Sequence, residues 1–253
     1  MDDRIEKLQR DLRLFKRYVV GLTLGLGAMT LAAFQQSGRT RFTEIDVERI
    51  NIVEKDGTKR LAIANSTRIA PITFYGKEYP RSRRPGANDR AGMTFFNDEG
   101  TENGGLGWSG KRMPDGEFSA MGGLTFDQYN QDEAVAVAYI DENGRRWAGL
   151  AVFDHPETSM QPYLDSLMVF RVIADSAERA RRTQAYQKAV RERGEGRRQR
   201  LFAGKEITKS SVLTLADPQG RQRLRLSVDS LGKARIEFLD ENGKVTDALS
   251  GKK

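Results

Sequence analysis

One polar stretch of the chain carries the residue types that bind or transform sugars. Asp127, Gln128, Tyr129 and Asp132 stand close together in the sequence, and Trp108 lies upstream of them. Carboxylates, amides and aromatic rings form glycan-binding surfaces, and two carboxylates across a cleft can hydrolyse a glycosidic bond. We therefore treat these five residues as a candidate binding set. The alternative is an ordinary strand end and turn, and the sequence leaves both open.

A second polar stretch has the oxygen ligands that calcium prefers. Asn97, Asp98, Glu99 and Glu102 stand around the turn that ends at Gly100. Their spacing lacks the alternating acidic positions of a calcium-binding loop, and a solvated hairpin turn uses the same residue types. The solvated turn is the favoured interpretation, and we predict neither a metal ion nor a cofactor.

Composition excludes several catalytic classes. The chain has no cysteine and a single histidine, His155. Thiolate nucleophiles, disulfides and cysteine-ligated metals are therefore excluded, and a catalytic triad would depend on His155 alone. The sequence has no glycine-rich phosphate-binding motif. The glycines at 21–27 lie within the apolar segment near the start, where they indicate helix packing. A non-enzymatic role is predicted, and a carboxylate-dependent enzyme acting on glycans is the first alternative.

A recurring hairpin signature must position these polar residues. Each copy has an apolar strand and then an acidic or amide residue before a glycine, which together favour a tight turn. The strands between the turns alternate apolar and charged residues, as in 223–228. This alternation predicts a mainly β, antiparallel meander with one solvated face. The five copies are 52–57, 96–100, 139–144, 215–220 and 238–243.

One segment breaks the β pattern. Residues 162–194 begin with proline and end with glycine, and their apolar residues recur every three or four positions, which predicts one α-helix. We assign 162–200 to an inserted basic helix. It separates a main β region (42–154) from a C-terminal β-hairpin region (205–249).

The positive charge of the chain is local. Residues 171–205 contain eleven basic and four acidic residues, a difference that equals the net charge of the whole chain, +7. Arg179, Arg181 and Arg182 stand where the apolar stripe of the predicted helix ends, so we expect them to face anionic lipid or an acidic partner. The alternative is a solvated helix surface. Nucleic acid is not an expected partner.

An uncharged apolar run near the start predicts where the protein lies. Tyr18–Phe34 has no ionisable group except the tyrosine hydroxyl, and as a helix it spans roughly 25 Å. Six basic residues precede it and three follow within an equal length, which predicts a cytoplasmic N-terminus. We predict a transmembrane signal-anchor helix at 18–36 with residues 37–253 outside. The alternatives are a cleaved signal peptide and a partner helix of a soluble intracellular protein.

The same segment has features of a self-associating helix. Gly21, Gly25, Ala28 and Ala32 lie on one helical face and would let two helices approach closely. Residues 1–17 have a short apolar seam typical of a coiled coil or of an amphipathic helix at a membrane surface. A homo-oligomer or a larger membrane complex is therefore an expected partner, together with the lipid bilayer itself.

Parts of the chain resemble a known group of proteins. The segments 92–100, 102–106 and 124–129, together with the C-terminal strands 223–226 and 238–240, are similar to a family of uncharacterised bacterial envelope proteins with repeated D-x-x-G hairpins. The resemblance covers about 44–247 and brings no assigned activity and no site residues. What it implies is a protein of the bacterial inner membrane and periplasm.

Overall fold

The computed structural model describes residues 2–34, 41–80 and 90–251 of the 253-residue chain. The chain has two compact units, Met1–Asp46 and Val47–Lys253. The first contains the helix α1 (Asp2–Phe34). The described part of the second contains α2 (Gln161–Arg171), α3 (Ser176–Glu192) and the strands β1 (Arg49–Val53), β2 (Lys59–Ala64), β3 (Ile72–Phe74), β4 (Lys77–Tyr79), β5 (Ala91–Phe96), β6 (Glu102–Arg112), β7 (Phe118–Asp127), β8 (Glu133–Glu142), β9 (Arg145–Asp154), β10 (Arg198–Lys205), β11 (Ser211–Ala216), β12 (Gln222–Val228), β13 (Ala234–Leu239) and β14 (Val245–Ser250).

The second unit is built on one long meander. Twelve strands form a single sheet in the order β1-β2-β5-β6-β7-β8-β9-β10-β11-β12-β13-β14, and β3 pairs with β4 in a separate two-stranded sheet. All neighbouring strands are antiparallel. The predicted mainly β, antiparallel fold is confirmed. Because β9 pairs directly with β10, the sheet continues across the inserted helices, and the regions 42–154 and 205–249 contribute to the same sheet.

Most hairpins close with one turn geometry, which the turn at Asp229 illustrates. The Asp229 N–H donates to the Lys233 carbonyl at 3.1 Å, and the Gly232 N–H donates to the Asp229 carbonyl at 3.0 Å. The Asp229 carboxylate accepts the N–H groups of Lys233 and Leu231 at 2.9 Å each, and these bonds lower the pKa of Asp229. Gly232 has a φ of +81°, which a β-carbon would oppose. The same two backbone bonds close turns that begin at Glu54, Asn97, Met113, Gln128, Glu206, Asp217 and Asp240.

All five predicted turns are present, and the structure adds turns that the signature missed. The turn in 139–144 is a two-residue connection in which Asn143 and Gly144 both have positive φ, as tight hairpins require. Two of the missed turns have Asn130 and Lys209, rather than glycine, in the left-handed conformation. A search for glycine after an acidic residue does not detect such turns.

The segment 162–200, predicted as one helix, forms two. α2 ends at Arg171, and Asp175 caps the start of α3 by accepting the N–H groups of Ala177 and Glu178 at 2.7 and 2.9 Å. The prediction of a single helix was wrong because the apolar spacing continues across the break. Periodicity alone does not distinguish a helix interior from a cap.

The two helices pack on each other through aromatic rings. The Tyr186 ring of α3 stacks on Tyr163 of α2 at 5.8 Å between centroids and meets Phe170 edge-on at 5.7 Å. The Ser166 hydroxyl also donates to the Tyr186 hydroxyl at 3.1 Å. Aromatic contacts of this kind fix the orientation of one helix against the other.

We call one side of the twelve-stranded sheet the inner face; it carries Thr125, Ala151 and Phe202. Other elements of the same unit cover this side. The hairpin β3–β4 and α2 form a layer in which Phe74, Tyr79 and Leu164 are buried together. Alternation along each strand puts every buried apolar residue of the twelve strands on this face. These residues are Ala62, Ala64, Phe96, Ala151, Phe202 and Val212.

The other side, the outer face, is apolar from one edge of the sheet to the other. Its middle row takes one residue from each of the twelve strands, and none of them is charged or buried. In β12 and β13 the inner face carries the charged residues, so the predicted alternation is confirmed there. The middle row is Ile50, Ile63, Met93, Leu106, Leu124, Val137, Leu150, Ala203, Leu213, Leu226, Ile236 and Leu249.

α1 is one uninterrupted helix of 33 residues. Its apolar side chains, where they are described, are exposed: Leu22 is 71% exposed and Met29 is 76% exposed. Across the described residues we find no helix with both the length and the apolar character needed to cross a membrane.

The turn geometry yields a stability prediction. Gly232→Ala places a β-carbon at positive φ and should lower the free energy of unfolding by about 1–2 kcal/mol. The control is Gly122→Ala in β7, where an added β-carbon would meet no atom within 4 Å; this change should be neutral or slightly stabilising. Denaturant unfolding of the full chain in detergent measures both, and equal effects of the two substitutions would contradict the argument.

Candidate functional site

The inner face carries a cavity of about 390 Å³, here called the carboxylate pocket. Gly105, Gly123, Ala136 and Ala138 lie along the strands that line it, and their small side chains leave space above the sheet. Ile72, Phe74 and Met160 line it from the β3–β4 and α2 layer. The remaining lining includes the apolar residues Met121, Ile140, Trp147 and Phe153, the carboxylates Glu102, Asp127, Asp132 and Glu133, and the arginines Arg90 and Arg197.

A ring stack fixes Trp147 at the pocket. The Trp147 and Phe202 rings stack at 5.1 Å between centroids with 17° between their planes. A β-carbon on Gly149 would lie 2.5 Å from the Phe202 ring, and one on Gly204 would lie 2.9 Å from it. The stack therefore requires glycine at both positions, on two neighbouring strands.

A tight turn brings the acidic residues to the pocket. The Gln128 N–H donates to the Asp132 carbonyl at 3.0 Å. The side-chain amides of Gln128 and Gln131 donate to the carbonyls of Pro156 and Thr158 at 3.0 and 2.5 Å. Gln128, a candidate binding residue, thus uses its amide donor to hold the turn against the segment that precedes α2.

The ionisation of Glu133 is strongly altered. Burial, and after it the interaction with the Asp132 carboxyl, raise the pKa of Glu133 to about 7. The Arg197 guanidinium, 3.3 Å from the Glu133 carboxylate, opposes this shift. Arg197 is held over the Phe153 ring at 4.2 Å, and the buried His155 places Nε2 2.8 Å from the Glu133 carbonyl.

This arrangement favours proton exchange over glycan hydrolysis. A carboxyl with a pKa near 7 takes up and releases protons at physiological pH. Glycosidases keep their two carboxyl groups about 5 Å or more apart. Asp132 and Glu133 are neighbours in the chain and their carboxyl groups interact directly, so this pair suits sharing a proton better than acting as two separated carboxyl groups.

The five candidate binding residues do not form one site. Asp127 and Asp132 line the carboxylate pocket. Trp108 pairs with Gly122 on the outer face and is 47% exposed there. The Tyr129 hydroxyl donates to the Glu99 carboxylate at 2.9 Å, and this bond raises the pKa of Tyr129. The structure therefore brings the two acids together and separates the two aromatic residues from the pocket.

The candidate calcium ligands are engaged in other contacts. The Asn97 side-chain oxygen accepts the N–H groups of Glu99 and Thr101 at 3.0 Å each, and Asp98 pairs with Arg60. Glu99 is bonded to Tyr129, whereas Glu102 lines the pocket. No group of three or more histidine or acidic residues suited to a metal ion is found in the part of the chain that the structure describes.

The three candidate lipid-facing arginines also have partners within the chain. The Arg179 guanidinium donates to the Ile173 carbonyl at 2.7 Å. Arg181 and Arg182 both pair with Glu178, the latter at 2.7 Å. All three positions are on α3, and Arg181 and Arg182 remain largely exposed.

The helix-association residues lie on α1. An added β-carbon at Gly21 or Gly25 would meet no atom within 4 Å, so the backbone there is open to close approach. Ala28 is exposed on the same helix. Ala32 lies beyond the residues whose side chains the structure describes.

Sequence reasoning missed Arg197 as a neighbour of the acidic turn and Trp147 as part of the lining of the same pocket. Neither is near Asp132 in the chain, and only the pairing of β8 with β9 and of β9 with β10 brings them to one pocket. The acidic pair itself was visible in the sequence, but its raised pKa depends on burial. No local signal in the sequence gives that burial.

The altered ionisation of Glu133 predicts a pH dependence. Its folded pKa of about 7 lies above its ordinary value of 4.5, so the stabilisation is full below about pH 4.5 and is lost as pH rises through about 7. We expect the free energy of unfolding to fall by roughly 1–2 kcal/mol between about pH 5 and pH 8, since part of the side chain stays exposed. Glu133→Gln should remove this fall.

The control is Glu142→Gln, an exposed position at the end of β8. It should keep the pH profile of the unmodified chain. Denaturation midpoints across this pH range give the measurement, and a Glu133→Gln profile parallel to that of the unmodified chain would contradict the assignment.

No protein-family model matches the chain, and no curated protein is significantly similar to it.

Proposed function

We propose that this chain is a membrane-anchored, non-enzymatic scaffold of the bacterial envelope, a subunit of a larger assembly whose β-rich unit binds another protein. The observation that carries this proposal is the outer face of the sheet. It offers apolar side chains across twelve strands, and none in its middle row is buried. Soluble monomers rarely expose contiguous apolar patches larger than a few hundred Å², and larger patches mark interaction surfaces.

The composition of the outer face suits protein recognition. Trp108 and Tyr139 are exposed beside its middle row. Aromatic residues are enriched in protein interfaces because they bury a large area at a low cost in conformational entropy. An apolar row with an aromatic border therefore supports a protein partner better than a polar ligand.

The polar contacts of the pocket also support scaffolding. Gln128 and Gln131 hold a turn in place, and Asp132 is bonded to Glu133. These groups stabilise the loops at one end of the sheet. They support a structural role for residues that the sequence offered as glycan contacts.

The anchoring part of the proposal rests on the sequence and on α1. The uncharged run Tyr18–Phe34 lies within α1, whose described apolar side chains are exposed and need an apolar environment. The excess of basic residues before the run favours a cytoplasmic N-terminus, with residues 37–253 outside. Arg181 and Arg182 both pair with the Glu178 carboxylate, which balances part of their charge. Contact of α3 with anionic lipid is therefore a secondary part of the proposal.

Membrane fractionation tests the anchor. The full chain should sediment with membranes and resist an alkaline carbonate wash. Replacing Leu22 and Leu26 together with Arg should release it, since each Arg costs about 2.5–3.5 kcal/mol in a membrane-inserted helix. The matched control replaces Leu8 and Leu12 with Arg, outside the uncharged run, and should stay in the membrane fraction. Recovery of the unmodified chain in the soluble fraction would contradict the proposal.

Topology needs a second measurement. A reporter that is active only outside the cytoplasm, fused after Lys253, should be active. Activity of a cytoplasm-specific reporter at the same position would reverse the orientation.

A further inference from the structure

The outer face is uniform over a large area. The middle row carries only apolar residues, and the rows on either side of it contain two charged residues, Lys205 and Asp247. Adjacent strands lie about 4.8 Å apart and alternate residues about 6.8 Å apart, so three rows cover roughly 50 Å by 15 Å, on the order of 800 Å². A stable interface buries about 800 Å² on each partner. The outer face therefore has the area of one complete interface.

The chain uses its own covering elements on the other side. Phe74 and Met160, from β3 and from the residue before α2, line the carboxylate pocket on the inner face. Every buried apolar residue of the twelve strands is on that face as well. Within residues 47–80 and 90–251, no helix or second sheet covers the middle row of the outer face, whose residues are all partly or fully exposed.

The charge distribution favours a partner with the same surface. A symmetric interface brings a patch against an identical patch, so a charge near the two-fold axis meets its own like charge. The middle row has no charge to repel its copy. On the outer face, Arg146 and Asp141 pair at 2.7 Å near the ends of β9 and β8, as in the polar rim of an interface.

We propose that the outer face packs against the outer face of a second copy of this chain, sheet on sheet. This proposal rests on the proposed scaffold function and names its partner. Two twisted sheets pack face to face about 10 Å apart with their strands within about 30° of each other. The middle rows of the two copies then form the core of the interface.

Symmetry identifies the residues nearest the two-fold axis. When two identical sheets overlap fully, the two-fold axis lies in the plane between them. It then passes near the centre of the face, whatever its direction within that plane. β8 and β9 are the sixth and seventh strands of the twelve. Their middle-row residues, Val137 and Leu150, are partners across the two strands and are 52% and 37% exposed. Each should lie close to its own copy in the dimer.

The absence of cysteine makes a direct test possible. We would make Val137→Cys and Leu150→Cys separately in the full chain, in mild detergent, and treat each with a short bismaleimide. Most of each variant should become a cross-linked dimer. The control is Ala248→Cys, exposed on the inner face of β14, which should stay monomeric on a denaturing gel.

A second pair of variants measures affinity. Val137→Glu buries a carboxylate in the interface and should raise the dimer dissociation constant at least tenfold, whereas Ala248→Glu should not change it. Circular dichroism confirms that each variant keeps its β content. The cross-link is specific to the sheet, because pairing through α1 alone would leave the thiol introduced by Val137→Cys free.

A monomeric Val137→Cys chain whose thiol reacts fully with a single maleimide would overturn the second-copy proposal. If Val137→Glu then also releases a different co-purified protein, the scaffold function stands with another partner. A cross-linked dimer in a chain that fails the carbonate test would instead leave the sheet pairing established and reject the anchor.

Discussion

The extended, pleated backbone of a β-strand directs successive side chains to opposite faces of a sheet, and the rest of this structure depends on that constraint. Twelve neighbouring strands keep the alternation in register, so the buried apolar residues and the pocket lie on the inner face, and an uncharged apolar row lies on the outer face. The covering layer is short. It consists of the β3–β4 hairpin and α2 on the inner face, and it leaves the middle row of the outer face exposed.

The inner face shows how small residues create a site on a sheet. Gly149 and Gly204 admit the Phe202 ring behind Trp147, and the glycines and alanines of β6 to β8 leave the cavity open. Burial at this cavity changes the ionisation of Glu133, while Arg197 limits the change. The same packing that stabilises the fold therefore sets the electrostatics of the pocket.

The turns connect local sequence to the long-range register. One geometry recurs at eight hairpins, and in several of them an Asp or Asn side chain accepts two backbone N–H groups. A repeated turn length fixes the register of each strand pair in turn, and one slip would move an apolar row to the inner face. The uniform middle row of the outer face depends on this repetition.

The sequence by itself determined the strand class, the meander and five of the turns, because alternation and Asx–Gly turns are local properties. It also determined the apolar run of α1 and the absence of thiol chemistry. Only the tertiary structure decided that α2 and α3 are separate helices, since a cap at Asp175 interrupts an unbroken periodicity. It also decided that Trp108 and Asp132 lie in different places, one on the outer face and one at the pocket, that Arg197 joins the acidic turn, and that burial raises the pKa of Glu133 to about 7. These properties depend on pairing between strands distant in the sequence and on burial, and neither is encoded in any single segment.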